Sequence, residues 1–363
     1  MMLRKSITLS LQEEVDLIKN KGGFAISLSN PSFNARNLEN IDLNNYNIQG
    51  LLSGENKLKE IARKKLFSNW KTNNLKNDVL ITNGAKAALY CVFKTVANKN
   101  NTNIGIINPN WPTYIDLINL CNANSLFFNT YYENNFDIDL NSLDIFLKKN
   151  KLKLLVLSSP NNPCGKIYDK KTINSLIKIC SSNNCYLVID ESFSSMVFEK
   201  KLKNASHLLN NKYLIIINSF SKNYHLQGLR LGAILASDKL IEKFTNIHIA
   251  INGAPNSLSQ YLISKFSNKL LQSSNLTKKK KYITTFLKSK NVEFYDPDGS
   301  FYLFPKIKNK KNFTNISNKK GLFFIRGNYF GSNKYNNFYR FCFEKKQNEL
   351  EKIVNIMDKY EIY

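Results

Sequence analysis

Short apolar runs alternate with stretches of helical periodicity through the middle of this 363-residue chain. The runs have strand length and end in polar or turn-forming residues, which is typical of buried strands. They predict seven strands, at residues 78–82, 103–108, 125–130, 153–158, 186–190, 213–219 and 231–236. Helical patterns lie between several of them, as at 85–97, 113–122 and 171–182. This alternation favours the α/β class, with a mostly parallel, doubly wound sheet.

Beyond about residue 239 the pattern changes to long helices, followed by short strands near 301–304, 322–325 and 338–343. This change predicts a second, smaller α+β domain. The apolar stretch 26–28 is too isolated to form a unit alone, so we expect it to pack on that second part. We therefore expect a large α/β domain at 40–240, with the polar strand ends, and a small α+β domain made from 1–39 and 241–363.

The formal net charge of +25 raises the question of a nucleic-acid partner. The lysines are dispersed along the chain, and the one compact run, 278–281, falls in a polar, helix-like stretch typical of a solvated face. No helix-turn-helix, RNP or zinc-finger signature accompanies the charge. We therefore expect no nucleic-acid partner.

The six cysteines form no C-x-x-C pair and the chain has only three histidines, so we expect no metal site. Cysteines among apolar residues indicate a reducing compartment. We see neither a signal peptide nor an apolar run of transmembrane length. These features predict a cytoplasmic protein without a membrane partner.

The most informative motif is Ser219-Phe220-Ser221-Lys222, which comes directly after a predicted strand, with Arg230 eight residues beyond the lysine. A lysine walled off from water has a lowered pKa and becomes a nucleophile for carbonyl carbons. The Ser219 hydroxyl and the Arg230 guanidinium suit a phosphate ester. Together they indicate a cofactor with an aldehyde and a phosphate, pyridoxal 5′-phosphate. For the motif alone, an ordinary basic loop is the alternative.

A second motif, Thr82-Asn83-Gly84-Ala85-Lys86, joins a predicted strand to a predicted helix. Glycine permits a tight turn, after which the free N–H groups of the first helical turn can face an anion. Taken alone this signal is weak, because every α/β protein has such turns.

Three further polar or aromatic side chains follow predicted strands. Trp111 lies in a loop stiffened by two prolines and could stack on a flat ring, or simply cap the sheet. Asn162 is held between prolines and could donate to a ring oxygen, or belong to a plain turn. Asp190 ends an apolar strand, where a carboxylate is costly unless paired. A protonated pyridine nitrogen would be a suitable partner, and a helix N-cap is the alternative.

These motifs, in this order, resemble the class I/II pyridoxal-phosphate-dependent aminotransferases of the fold type I superfamily. The resemblance runs nearly end to end and also includes the segments 25–33, 54–62, 299–305, 327–331 and Tyr339-Arg340-Phe341. It implies a large domain with a mostly parallel seven-stranded sheet plus a smaller α+β domain. It also implies a homodimer with the cofactor near the interface.

The resemblance assigns roles around the cofactor ring. Lys222 would form the Schiff base and shuttle the proton, and Asp190 would pair with the pyridine nitrogen. Asn162 would bond the ring's O3′ and also contact the substrate, and Trp111 would stack on the ring.

The resemblance likewise assigns the two anion sites. The phosphate would be held by the backbone of Gly84, Ala85 and Lys86, together with Ser219 and Arg230. Arg340 would grip the substrate α-carboxylate in bidentate fashion.

The chain departs from the family pattern at four places. Phe193 stands where many members have a tyrosine three residues after the aspartate, and Arg326 stands where many have proline. Arg326 could be a second anion contact or a surface residue. The substrate loop, Ser29-Asn30-Pro31, lacks the usual glycine, and Tyr46 is out of the usual spacing for a tyrosine reaching the neighbouring subunit's phosphate.

The leading hypothesis is an aminotransferase that moves an amino group between an amino acid and a 2-oxo acid in a ping-pong cycle. The alternative is a pyridoxal-phosphate-dependent decarboxylase or lyase of a phosphorylated or otherwise anionic amino acid, because related members also carry phenylalanine at the position of Phe193. A third hypothesis is a basic nucleic-acid-associated or scaffold protein that kept the fold and lost the chemistry. The identity of the substrate cannot be read from the sequence.

Overall fold

The computed structural model describes residues 6–32, 43, 50–70, 77–97, 101–198, 211–266, 275–308 and 310–363. Tyr46 and Phe33 lie outside these residues. The strands, in chain order, are β1 (Ile26–Ser27), β2 (Asn77–Thr82), β3 (Asn103–Asn108), β4 (Asn124–Asn129), β5 (Leu154–Ser158), β6 (Tyr186–Asp190), β7 (Leu214–Ser219), β8 (Gly232–Ser237), β9 (Tyr302–Leu303), β10 (Leu322–Phe323), β11 (Ile325–Arg326) and β12 (Tyr339–Cys342).

The helices fill most of the connections between these strands. They are α1 (Ile7–Asn20), α2 (Asn56–Lys65), α3 (Ala85–Val96), α4 (Thr113–Leu120), α5 (Leu140–Lys149), α6 (Lys170–Ser182), α7 (Phe220–Asn223), α8 (Asp238–Asn252), α9 (Ser257–Phe266), α10 (Leu276–Ser289), α11 (Lys310–Lys319) and α12 (Gln347–Lys359). No helix among the described residues is long and apolar enough to cross a membrane.

The central sheet has seven strands in the order β2-β8-β7-β6-β5-β3-β4. The neighbours from β7 to β4 all run parallel, whereas β8 is antiparallel to both β7 and β2. The α/β class and the mostly parallel seven-stranded sheet are therefore confirmed, and each predicted strand lies within one residue of an observed one. Because β3, β5, β6 and β7 run the same way, their carboxyl ends meet at one edge of the sheet.

The apolar runs are continuous because both faces of the sheet are covered. Along β7, Leu214 and Ile216 pack into the core on one face, whereas Ile215 and Ile217 pack into the core on the other. A third apolar cluster gathers the short strands and the last helix, and it includes Ile26, Leu303, Phe341 and Ile353.

The first strand pairs with the second half of the chain. Ile26 and Ser27 pair in parallel with Leu322 and Phe323 of β10. A separate three-stranded sheet has the order β11-β12-β9. The Cys342 N–H donates to the Leu28 carbonyl at 2.9 Å, and the Ser32 N–H donates to the Glu344 carbonyl at 2.7 Å. The stretch after β1 therefore runs beside the end of β12.

Candidate active site

The predicted polar residues converge on one cavity of about 520 Å³ at the carboxyl edge of the central sheet. Nine of the ten predicted site residues line it: Ala85, Lys86, Trp111, Asn162, Asp190, Ser219, Lys222, Arg230 and Arg340. The tenth, Gly84, lies directly beneath the guanidinium of Arg230. Segments from distant parts of the chain thus meet at one cavity.

The pairing of strands β2, β8 and β7 brings together the two motifs that are expected to bind phosphate, the 82–86 turn and the 219–222 turn. Gly232, the first residue of β8, pairs with Thr82 at the end of β2 and with Ser219 at the end of β7. A Cβ on Gly232 would come within 2.7 Å of the Ala85 backbone nitrogen. The absent side chain therefore lets the start of α3 approach the Ser219 turn.

Arg230 adds a guanidinium to the start of α3 and the Ser219 turn, and together they form an anion cradle. Gly84 has φ 85°, in the region that favours glycine, and an added Cβ would lie 2.6 Å from Arg230 Nη2. Arg230 Nη1 donates to the Gln227 carbonyl at 2.9 Å and to Ser221 Oγ at 3.5 Å. The first-turn N–H groups of α3 and this guanidinium form a site that suits a phosphate.

Lys222 lies on the short helix α7 that follows β7. Ser219 caps this helix, because its Oγ accepts the Ser221 N–H at 3.0 Å. Burial lowers the pKa of Lys222 to about 8, and the positive charges of Arg340, Arg230 and Lys86 act in the same direction. A fraction of this amine is therefore neutral near pH 7, as a nucleophilic lysine requires.

Asp190 is a buried carboxylate without a cationic partner in the part of the chain that the structure describes. Tyr114 donates its hydroxyl to Oδ2 at 2.8 Å, and Ser192 donates its hydroxyl at 2.6 Å and its N–H at 3.0 Å to Oδ1. Burial raises the pKa of Asp190, and these hydrogen bonds oppose that change. Such a carboxylate suits a protonated ring nitrogen.

Arg340 lies 2% exposed at the other end of the cavity. Its Nη1 donates to Asn162 Oδ1 at 3.0 Å and its Nη2 donates to the Ser29 carbonyl at 2.9 Å. Its guanidinium carbon lies 4.2 Å from the centre of the Tyr302 ring. The buried Nε has no hydrogen-bond acceptor among the described residues. A buried guanidinium that is held in place by two hydrogen bonds and still has N–H groups without an acceptor among those residues suits a carboxylate.

Trp111 and Lys86 form an adjoining wall. The Trp111 ring meets the Tyr114 ring edge-on, with centroids 5.7 Å apart and planes at 82°. Lys86 Nζ lies 5.5 Å from the Trp111 ring centre. Burial and the charge of Arg230 lower the pKa of Lys86.

Sequence reasoning left several lining residues without a role. Ser221 and Ser192 lie within or beside the quoted motifs, and Tyr114 follows Trp111 by one helical turn, so their positions held a signal. Burial raises the pKa of Tyr302 to about 12, which keeps its phenol protonated. The lining residues Ser6, Thr8 and Leu9 come from the start of the chain, where no motif marked them, whereas Asn30 belongs to the substrate loop that the resemblance includes.

Three of the four departures from the family pattern fall on residues that the structure describes. Phe193 lines the cavity and packs edge-on against Phe301 at 5.3 Å, so no phenol stands at that position. Arg326 is exposed, donates to Thr314 Oγ1 at 3.2 Å and is not among the residues that line the described cavity. Asn30 of the substrate loop lines the cavity, and the Ser29 carbonyl binds Arg340.

Known proteins with similar sequences and folds are aminotransferases. An aspartate aminotransferase of Sulfolobus acidocaldarius is 28% identical over 319 residues, which cover 81% of this chain and 78% of the relative. The solved aspartate aminotransferase of Thermotoga maritima superposes with a TM-score of 0.86 at 22% identity, over 99% of this chain and 98% of that one. The enzyme of Thermus thermophilus, solved with maleate, gives a TM-score of 0.88 at 16% identity, over 99% and 97%.

The residues present fit pyridoxal 5′-phosphate. The cavity joins a buried carboxylate that lacks a cation, a lysine of lowered pKa and an anion cradle at a helix start. None of the comparisons favours the decarboxylase alternative. The sequence model of the family "Aminotransferase class I and II" matches residues 34–357. This chain therefore belongs to the class I and II aminotransferases, pyridoxal-phosphate-dependent enzymes that transfer an amino group between an amino acid and a 2-oxo acid.

Proposed function

We propose that this aminotransferase acts on an amino acid with a second carboxylate in its side chain, of the aspartate type. The observation that carries the proposal is a surplus of cations. Four basic side chains line the cavity, Lys86, Lys222, Arg230 and Arg340, against the single carboxylate of Asp190. One of the four, the Lys86 ammonium, has no task in the transfer of the amino group itself.

The other three cations have separate tasks. Lys222 would bind the cofactor covalently and then hold and return the proton that moves at the substrate α-carbon. Arg230, with Ser219, Ser221 and the backbone at 84–86, would bind the cofactor phosphate. Arg340 would bind the α-carboxylate that all amino acid substrates share.

The remaining residues would orient the cofactor, which supplies an electron sink for the carbanion that forms at the α-carbon. Asp190 would hold the ring nitrogen protonated, with Tyr114 and Ser192 fixing the carboxylate. Asn162 would bond the ring oxygen O3′ through its amide N–H, because its Oδ1 already accepts from Arg340. Trp111 would stack on the ring face. Phe193 offers no phenol to O3′, so Asn162 would bear that contact without the usual tyrosine.

The Lys86 ammonium is then available for a second carboxylate. The hydroxyl groups of Ser6 and Thr8 line the same cavity and could donate to the same group. Relatives of similar sequence and fold carry the name aspartate aminotransferase, which agrees with a dicarboxylic substrate.

The test is a panel of amino acids with the cofactor-loaded enzyme and its Lys86→Met variant. We expect wild type to prefer L-aspartate or L-glutamate, and Lys86→Met to lower kcat/KM for these by roughly 10- to 100-fold while L-alanine changes little. Lys94→Met on the same helix is the matched control, because Lys94 does not line the described cavity. A wild-type preference for monocarboxylic amino acids, or an equal loss for every substrate, would contradict the proposal.

We further propose a cytoplasmic homodimer. All six cysteines are free and buried, as suits a reducing compartment.

Four exposed apolar side chains support a second copy of this chain as the partner: Leu51, Leu52, Ile251 and Leu258. The two chain segments that carry them are in contact, because a Cβ on Gly50 would lie 3.4 Å from Ala254 Cβ and 3.6 Å from Ser257 Cβ.

A further inference from the structure

A lysine outside the cavity holds the segment that forms one of the cavity walls. Lys345 follows β12 and is 2% exposed. Its ammonium donates to the Ser27 carbonyl at 2.5 Å and to the Asn30 carbonyl at 2.5 Å. These two acceptors lie 318 and 315 residues away along the chain.

Lys345 has no carboxylate at ion-pair distance within the described ranges. Its neighbour Glu344 pairs instead with Lys279 at 2.7 Å. Burial lowers the pKa of Lys345. The two carbonyl dipoles of the 27–30 segment are the direct partners of this buried ammonium, and the carboxylates of Glu349 and Glu344 favour its charge from a greater distance. A displacement of the segment would therefore leave the ammonium without its direct partners.

The same segment binds the arginine of the active site. The Ser29 carbonyl, between the two carbonyls that Lys345 binds, accepts from Arg340 Nη2 at 2.9 Å. The next residue, Asn30, lines the cavity. Lys345 and Arg340 are thus linked through three carbonyls of one short segment.

Other backbone bonds hold the chain on both sides of residues 29 and 30, because the Ser32 N–H donates to the Glu344 carbonyl at 2.7 Å. The Leu28 N–H donates to the Phe323 carbonyl at 2.8 Å, and the Cys342 N–H donates to the Leu28 carbonyl at 2.9 Å. Loss of Lys345 would therefore affect the placement of residues 29 and 30 more than the pairing of β1.

We propose that Lys345 is a positioning residue for substrate binding. It fixes the 27–30 segment so that the Ser29 carbonyl holds the Arg340 guanidinium, and Asn30 holds the cavity wall, where the substrate carboxylate binds. The inference rests on the role proposed above for Arg340. It assigns to Lys345 no contact with substrate or cofactor.

The first test is Lys345→Met, which keeps most of the aliphatic stem and removes the ammonium. With the cofactor-loaded enzyme and its best amino acid substrate, we expect KM to rise roughly tenfold while kcat and the absorbance of the bound cofactor change little. Lys352→Met, on the exposed face of α12, is the matched control and should leave KM unchanged. If Lys345→Met does not fold, Lys345→Gln, which can still donate to one carbonyl, is measured instead.

The second test is a double-mutant cycle with Arg340→Leu. If Lys345 acts through Arg340, the increase in KM on removing Lys345 should largely disappear in the Arg340→Leu background. A full, additive increase there, or an unchanged KM in the single Lys345 variant, would overturn the inference. An unchanged KM in Arg340→Leu alone would instead contradict the role of Arg340, so the two failures are distinguishable.

Discussion

Lys222 is the residue to which we assign the covalent chemistry of the site, and its pKa of about 8 gives a testable pH dependence. At pH 7 about a tenth of such amines are neutral, against roughly one in three thousand at the ordinary lysine pKa. Because the pKa is lowered, the rate at which the cofactor-free protein binds pyridoxal 5′-phosphate should rise with pH and level off above about 8. Stopped-flow absorbance of the bound cofactor measures this rate.

The Lys222→Ala variant is the control for that measurement. It should lose turnover and the covalent link, so borohydride reduction followed by peptide mass spectrometry should find no cofactor on the 219–223 segment. Cofactor fixed at the wild-type level in this variant, or a midpoint near the ordinary lysine pKa in the native chain, would contradict the assignment.

Asp190→Asn tests whether the buried carboxylate serves the cofactor or only its own turn. Asparagine can keep the bonds from Ser192 through its Oδ1, but its Nδ2 is a donor that cannot accept the Tyr114 hydroxyl proton. It also carries no charge to hold a ring nitrogen protonated. We expect the cofactor to stay bound and kcat to fall roughly 10²- to 10³-fold, the scale of losing a major electrostatic stabiliser. Steady-state kinetics at saturating cofactor measures the loss. Near-normal rates would show that Asp190 acts only as the cap of its own turn.

The two arginines of the C-terminal part should behave differently when each is replaced by leucine. Arg340 is buried and lines the cavity, so Arg340→Leu should raise KM for every amino acid. The fall in kcat/KM should correspond to a loss of about 2 to 5 kcal/mol in transition-state binding free energy. Arg326 is exposed and donates to Thr314, so Arg326→Leu should leave both constants nearly unchanged and serves as the control. The reverse outcome would exchange the two roles.

The limits of sequence reasoning at this scale follow from distance along the chain. Lys222 and Arg230 lie in one local motif, so their type and spacing carried the signal. The bonds of Asp190 to Tyr114 and of Arg340 to Ser29 span 76 and 311 residues, which no local pattern encodes. The resemblance to a family predicted that these regions share a site, but it did not predict the bonds themselves.

At the scale of elements, the strands were predictable because both faces of the sheet are buried and the apolar runs are therefore unbroken. Strand β8 begins one residue later than predicted, at Gly232. Arg230 has a left-handed φ of 53°, and the Leu231 carbonyl accepts from Ser219 Oγ and from the Phe220 N–H. Leu231 thus serves the turn around Ser219, a tertiary contact that hydrophobic periodicity does not encode.

The turn between β2 and α3 gives a prediction at this scale. Gly84→Ala would place a side chain at φ 85° and 2.6 Å from Arg230 Nη2. The strained backbone should cost about 1 to 2 kcal/mol of stability, and the displaced guanidinium should raise the cofactor Kd roughly tenfold. Chemical unfolding and cofactor titration by fluorescence measure the two effects.

Gly228→Ala is the matched control for that turn. Gly228 lies two residues before Arg230, has no positive φ, and would place its Cβ in open space. It should change neither quantity. Equal effects of the two substitutions would mean that the Gly84 turn has no special part in binding the cofactor.

At the scale of the whole molecule, the charge of +25 is the feature that sequence alone interprets least well. Within the compact run 278–281, Lys279 pairs with Glu344 and Lys280 pairs with Asp296. Half of that run is thus engaged within the protein itself. The absence of a nucleic-acid partner and the domain boundaries near residues 40 and 240 stay predictions.

Four exposed apolar side chains favour association of two copies of this chain. Leu51, Leu52, Ile251 and Leu258 are 39 to 52% exposed and lie around the contact between Gly50 and the 254–257 turn. Burying them against a second copy would remove apolar surface from water, which stabilises association by roughly 25 cal/mol per Å² before the costs of binding. We expect sedimentation velocity to give a homodimer at micromolar concentration. The double variant Leu52→Glu with Ile251→Glu should place charges in that interface and sediment as a monomer, whereas Ile145→Glu, at a residue 65% exposed on α5, should remain a dimer. A wild-type monomer that keeps full activity would contradict the dimer, and dissociation by the α5 variant alone would place the interface elsewhere.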